Sequence, residues 1–133
     1  MRVADVMTTD VISINDDAAL VDAAIMLADA HVSGLAVINE HRRLVGVITA
    51  SDILAAEAEA EGAEARAIVL RETRVAEAMS TQPLVITPDA TVRAAALEME
   101  YADVHRLFVV LEGKPVGVIS RSDVSRVHSL GKM

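Results

Sequence analysis

The sequence predicts a mixed α/β (α+β) protein made of two copies of one β-α-β-β-α unit. Similar residues recur at an offset of 79 − 7 = 72 along the 133-residue chain. Each copy holds apolar residues at i, i+3, i+4 and i+7, the mark of a helix with one buried face. Two short strand-like runs then follow. The second of them, Val45-Gly46-Val47-Ile48, returns identically as Val116-Gly117-Val118-Ile119. A repeat at this period sets the reading of the whole fold.

In chain order, the lead-in Val3-Ala4-Asp5-Val6-Met7 recurs as Val75-Ala76-Glu77-Ala78-Met79. A short strand is expected next, at about 11–14 and again at 84–86. Ile14 meets Ile86 across the offset, Asp17 meets Asp89, and Ala18 meets Ala90. Asp16 or Asp17 in one copy, and Thr87-Pro88-Asp89 in the other, supply helix-start residues. Helices are therefore expected over roughly 18–30 and 90–101. Their buried stripes are Leu20, Ala23, Ala24 and Leu27, matched by Val92, Ala95, Ala96 and Met99. The runs Leu35-Ala36-Val37-Ile38 and Leu107-Phe108-Val109-Val110 then form hairpins with 44–48 and 115–119. Here the offset falls to 117 − 46 = 71, so the second turn is one residue shorter, and Gly113 suits a tight turn. A second helix closes each copy, from about Ser51 and about Ser122.

The run from Ala55 to Arg66 is mostly Ala and Glu, both strong helix formers. It reads as an extended closing helix that Gly62 can break; an acidic docking surface is the alternative to a solvated helix face. The repeats divide the chain at 1–66 and 67–133.

A hydrophobic content of 53% provides a core and argues against disorder. Tyr101 and Phe108 are the only aromatic residues, and the formal charge is −8. Both features count against nucleic-acid binding, and the charge counts against anionic membranes. A few local Arg and Lys side chains can still hold a small anion. The absence of cysteine excludes disulfides, thiolate metal sites and a cysteine nucleophile. The first residues lack the apolar core of a signal peptide, and no apolar run approaches the ~20 residues that span a bilayer. The expectation is a soluble cytoplasmic protein.

After each hairpin comes a Gly-h-x-h-[Ser/Thr]-x-x-Asp motif, with h apolar. One copy is Gly46-Val47-Ile48-Thr49-Ala50-Ser51-Asp52, and the other is Gly117-Val118-Ile119-Ser120-Arg121-Ser122-Asp123. The spacing brings a hydroxyl from a strand end and a carboxylate from the following helix start to one place. The same spacing also makes a helix-capping box. Two copies, each at a strand-to-helix junction, favour a binding role beside the capping one. A carboxylate can accept both vicinal hydroxyls of a ribose, and a helix N-terminus attracts phosphate.

The chain resembles the CBS family, named after cystathionine β-synthase, from its first lead-in to the helix after Asp123. The β-α-β-β-α order, the Met-ended lead-ins and the two motifs carry that resemblance. It implies two repeats packed sheet to sheet as a pseudo-two-fold pair, with ligand clefts between them. It further implies a regulatory, energy-sensing role without catalysis, binding AMP, ADP or ATP, and less readily S-adenosylmethionine or NAD. A homodimer of such pairs is implied, and so is an effector protein acted on in trans, since the chain has no room for an effector domain.

Carried over residue by residue, Thr49 with Asp52 and Ser120 with Asp123 become ribose and phosphate contacts. Adenine contacts fall to Ser13, Ile14, Ser33, Gly34 and Leu35 in one cleft, and to Ile86, Thr87, His105, Arg106 and Leu107 in the other. Core packing competes with ligand contact for Ile14, Leu35, Ile86 and Leu107.

The two copies differ where Gly34 aligns with Arg106 and Ala50 with Arg121. With His105 and Lys114 nearby, the second cleft is expected to be more cationic and to prefer a phosphorylated nucleotide. A solvated surface role is the alternative for both arginines, more so for Arg121. His31, His41, His105 and His128 do not recur between copies and lack metal-ligand spacing. No catalytic arrangement or nucleotide-type glycine loop stands out, so no enzyme and no metal are expected. The rival readings are a ligand-free dimeric scaffold, an undetected nucleotide enzyme and a nucleic-acid binder.

Overall fold

The structure, a computed structural model, describes residues 1–131. In the first half the elements are α1 (Val3–Val6), β1 (Ser13–Asn15), α2 (Leu20–Ala30), β2 (Gly34–Ile38), β3 (Leu44–Thr49), α3 (Ala50–Glu57) and α4 (Ala63–Glu72). The second half holds α5 (Val75–Ala78), β4 (Ser80–Thr81), β5 (Val85–Ile86), α6 (Val92–Ala102), β6 (Arg106–Leu111), β7 (Lys114–Ser120) and α7 (Arg121–Ser129). The repeated β-α-β-β-α order is present in both halves.

The chain forms two compact units, and their limits differ from the repeat boundary at 66/67. One unit is Ile12–Pro83; the other joins Met1–Val11 to the chain from Leu84 onward. Each lead-in therefore packs in the unit built by the other repeat.

In the unit Ile12–Pro83 the sheet order is β1-β2-β3-β4, with β1 parallel to β2 and the other neighbours antiparallel. Its core gathers Leu20, Ala23 and Leu27 from α2, Leu35 and Val37 from β2, Ile48, Ile53 and Val75. The other unit has the order β5-β6-β7, with β5 parallel to β6 and β6 antiparallel to β7. Thr8 bridges to Val118 at the place where β4 lies beside β3 in the first unit. Val3, Ala95, Met99, Leu107, Val109 and Ile119 fill that core. Of the helical stripes read from the sequence, Leu20, Ala23 and Leu27 and Val92, Ala95 and Met99 are buried, while Ala24 and Ala96 lie half-buried at their margins.

The exchange of lead-ins explains both the glycine and the methionine of the repeat. A Cβ on Gly46 would lie 2.6 Å from Met79 Sδ and 2.7 Å from the Ser80 carbonyl oxygen. On Gly117 it would lie 2.5 Å from Met7 Sδ and 3.0 Å from the Thr8 carbonyl oxygen. Only glycine lets the lead-in cross the strand so closely.

The exchange also moves the expected helix starts. Neither Asp16, Asp17 nor Thr87-Pro88-Asp89 caps a helix; α2 begins after Ala19 and α6 after Thr91. The first helical N–H groups are instead satisfied by carbonyls two residues ahead of the lead-ins, Leu20 N donating to Thr73 O and Val92 N to Met1 O, at 2.9 and 3.0 Å. Backbone from far along the chain replaces part of what a capping side chain would supply. Thr91 Oγ1 adds a true cap by accepting from Ala94 N at 3.0 Å; Ala19 has no equivalent.

The hairpins differ in the way the changed offset requires. Glu112 and Gly113, at φ 54° and 81°, form a tight two-residue turn between Leu111 and Lys114. The longer first turn is held by Asn39, whose Oδ1 accepts from His41 N and Arg43 N at 2.9 and 3.1 Å. The expected continuous closing helix is interrupted: α3 ends at Glu57, and α4 starts after Gly62, which sits at φ 90°. That backbone angle suits glycine at the N-cap of the second helix.

Candidate functional site

Each unit carries a hydroxyl–carboxylate corner where its hairpin passes into its closing helix. Asp52 Oδ2 accepts from Thr49 N at 2.9 Å and from Thr49 Oγ1 at 3.0 Å, while Thr49 Oγ1 accepts from Asp52 N at 3.2 Å. The second corner repeats this. Asp123 Oδ2 accepts from Ser120 N and Oγ at 2.8 and 2.9 Å, and Ser120 Oγ accepts from Asp123 N at 3.2 Å. Both motifs therefore form capping boxes. They do so through one carboxylate oxygen only, and an ionised carboxylate has about four acceptor positions.

The other oxygen distinguishes the corners. Asp52 Oδ1 receives a long 3.5 Å hydrogen bond from Ser80 Oγ. Asp123 Oδ1 receives a 3.0 Å bond from the guanidinium Nη2 of Arg126. Among the described residues Asp123 is the buried charged residue, at 8% exposure, so a close cation suits it. Neither Ser80 nor Arg126 was singled out from the sequence. A signal existed for each: a hydroxyl follows the lead-in methionine in both copies (Thr8, Ser80), and Asp123-x-x-Arg126 is a helical i,i+3 pair. Arg126 aligns with Ala55, so among the described residues the ion pair has no counterpart at Asp52.

The cross-strand register brings the next residues to each corner. Gly34 stands opposite Thr49, and Arg106 stands opposite Ser120. Arg106 is exposed beside the hydroxyl, where Gly34 leaves open backbone. Ser33 and His105 are exposed just before these positions, and the His105 carbonyl accepts from Arg121 N at 2.9 Å. Ser13 is half-buried at the start of β1, and Thr87 is exposed, its hydroxyl donating to Asp89 Oδ1 at 2.6 Å.

Three of the remaining expected contacts belong to the core, and a fourth borders it. Leu35 and Leu107 are fully buried, Ile14 is 6% exposed, and Ile86 packs on the edge of its cluster. At Leu35 and Leu107 only the backbone can meet a ligand. Arg121 donates from Nε to Val104 O at 2.9 Å and from Nη2 to Met99 O at 3.3 Å, so its guanidinium ties down the C-terminal end of α6. Lys114 is not near the corner. It starts β7 and Ser120 ends it, six residues along an extended strand, about 20 Å away.

These corners can accept hydrogen bonds from a diol and, at the second, can pair an anion with Arg106. Among the described residues, no group of three or more His, Cys, Asp or Glu is arranged to hold a metal ion. No described helix is long and apolar enough to cross a membrane.

Comparison with known proteins agrees with this architecture. AcuB of Vibrio cholerae superimposes with a TM-score of 0.82 at 23% identity, covering 98% of this chain and 91% of that one. CBSX2, solved in complex with AMP, gives a TM-score of 0.79 at 28% identity, covering 99% of this chain and 98% of that one. CBSX2 from Arabidopsis thaliana gives 0.78 at the same 28% identity, with coverages of 98% and 96%. Among curated sequences, a homoserine O-acetyltransferase of Methanococcoides burtonii is 32% identical over 126 residues, which is 94% of this chain but 24% of that protein. The chain spans about a quarter of the length of the first curated relatives it matches. The CBS domain family model matches residues 3–59 and again 75–129. With both repeats matched, this chain belongs to the CBS domain family and is a tandem CBS pair.

Proposed function

We propose that this CBS pair is a regulatory module that binds an adenine nucleotide of the AMP, ADP or ATP class. Thr49 with Asp52 and Ser120 with Asp123 hold its ribose and phosphate. The observation that carries this reading is the second carboxylate oxygen at each corner, which capping does not use. Capping engages Oδ2, and Oδ1 can accept the ribose hydroxyls once its present partner, Ser80 at Asp52 or Arg126 at Asp123, gives way. Support also comes from CBSX2, 28% identical over nearly the whole chain and solved with AMP. Occupancy is passed to an effector protein in trans by a homodimer of pairs in the cytoplasm. Binding can shift such a pair only by its differential affinity for two arrangements.

Isothermal titration of the purified protein with AMP, ADP, ATP, NAD, S-adenosylmethionine and adenosine tests this, repeated on Asp52→Asn and Asp123→Asn. A ligand at a hundred times its Kd stabilises by about 2.7 kcal/mol, so a parallel melt should rise by roughly 5–15 °C. Binding that these variants weaken supports the reading. One specific observation favours the alternative of a ligand-free scaffold: both carboxylates already complete capping boxes. If no adenosine compound binds, the motifs are caps and the scaffold reading replaces the sensor.

A further inference from the structure

The corners share their backbone but not their second carboxylate partner, and this points to a specificity residue. Arg126 lies one helical turn after Asp123, and its Nη2 reaches Asp123 Oδ1 at 3.0 Å. The Arg126 side chain is 61% exposed, while the Asp123 side chain is 12% exposed. The pair is thus half in solvent, and such pairs are weak and easily exchanged. At Asp52 the corresponding helix position is Ala55, and among the described residues the oxygen meets only the Ser80 hydroxyl, at 3.5 Å.

We propose that Arg126 couples ribose recognition to phosphate recognition at the second corner, selecting phosphorylated nucleosides over neutral ones. This rests on the binding role of the corners proposed above. A ribose diol reaching Asp123 Oδ1 must displace the guanidinium. A neutral nucleoside offers that cation nothing in exchange, so displacement only opposes binding. A nucleoside phosphate carries an anion on the same ribose, within the sweep of the long Arg126 side chain. There the released guanidinium joins Arg106, which stands opposite Ser120 in the hairpin. The exchange trades one carboxylate partner for a phosphate and leaves the diol on Asp123. Asp52 has no such lock, so the first corner should admit adenosine and AMP with little distinction.

The two arginines then have different signatures. Loss of Arg106 removes a phosphate partner and should lower AMP affinity while leaving adenosine unchanged. Loss of Arg126 removes the partner and the lock together. It should lower AMP affinity about tenfold and raise adenosine affinity a few-fold. The reverse change, Ala55→Arg, places a lock beside Asp52 on an exposed helix face.

The test is isothermal titration of AMP and adenosine in an Asp52→Asn background, which reports the second corner alone. The AMP-to-adenosine affinity ratio is compared with and without Arg126→Ala and Arg126→Lys. The expected result is a ratio that falls about tenfold or more in the alanine variant and is largely kept by lysine. In the complementary Asp123→Asn background, Ala55→Arg should raise the ratio at the first corner. An unchanged ratio in Arg126→Ala, with binding in the Asp52→Asn background lost on adding Asp123→Asn, would overturn the coupling alone and leave the binding site standing. If the Asp52→Asn protein binds neither compound, the binding role of the second corner fails and the inference falls with it.

Discussion

Replacing Gly46 by alanine tests how the exchanged lead-in is held. The new Cβ would sit 2.6 Å from Met79 Sδ and 2.7 Å from the Ser80 carbonyl oxygen. The thioether can swing aside. The carbonyl cannot move without pulling Ser80 and Thr81 from their ladder with Val47 and Gly46. At Gly117 the sulfur is as close, at 2.5 Å, but the nearest carbonyl stands at 3.0 Å, so a smaller shift suffices. Overpacking of this kind costs about 1–3 kcal/mol. Alanine offsets about 0.5–1 kcal/mol of that, because it restricts the unfolded chain. The expected net losses are about 2 kcal/mol for Gly46→Ala and about 1 kcal/mol for Gly117→Ala. Urea denaturation followed by circular dichroism measures both. In double-mutant cycles, Met7→Ala should recover much of the loss at Gly117, whereas Met79→Ala should recover little at Gly46, where backbone remains in the way. Wild-type stability in Gly46→Ala, or a larger loss in Gly117→Ala, would refute the claim that lead-in backbone presses on that strand.

Three further outcomes follow from the same contacts. Arg121→Ala should cost about 1 kcal/mol by removing the guanidinium from the Val104 and Met99 carbonyls, yet leave AMP affinity unchanged; reduced affinity with an unaltered melt would instead make Arg121 a ligand contact. Leu35→Ala and Leu107→Ala, each at a fully buried site, should each lose about 2–5 kcal/mol in denaturant titration. A loss below about 1 kcal/mol would show that these positions are not core. Ala19→Thr copies the Thr91 cap onto α2 and should raise stability by about 0.5–1 kcal/mol; a lower melting temperature would show that the Thr73 carbonyl has already taken up the capping geometry.

Much of this protein is written in short stretches of chain. The stripes Leu20-Ala23-Leu27 and Val92-Ala95-Met99, the twin Val-Gly-Val-Ile strands and the two hydroxyl–carboxylate motifs depend on neighbours a few residues away. Periodicity and capping chemistry therefore expose them directly. The same locality made Gly62 legible as a helix break and Glu112-Gly113 as a tight turn.

What the sequence could not convey depends on residues far apart along the chain meeting in space. No local pattern tells that Met7 lies over Gly117, that Met79 lies over Gly46, or that Met1 and Thr73 supply carbonyls to the first N–H groups of α6 and α2. Those contacts moved the helix starts away from Asp16, Asp17 and Thr87-Pro88-Asp89. At the corners, the motif named the carboxylates, but their partners came from the fold. Ser80 reaches Asp52 across 28 positions, and Arg121 reaches the Met99 carbonyl across 22. Even Arg126, only three residues from Asp123, acquires its importance from Asp123 being buried. Burial makes a charge need a partner, and burial is a property of the packed chain.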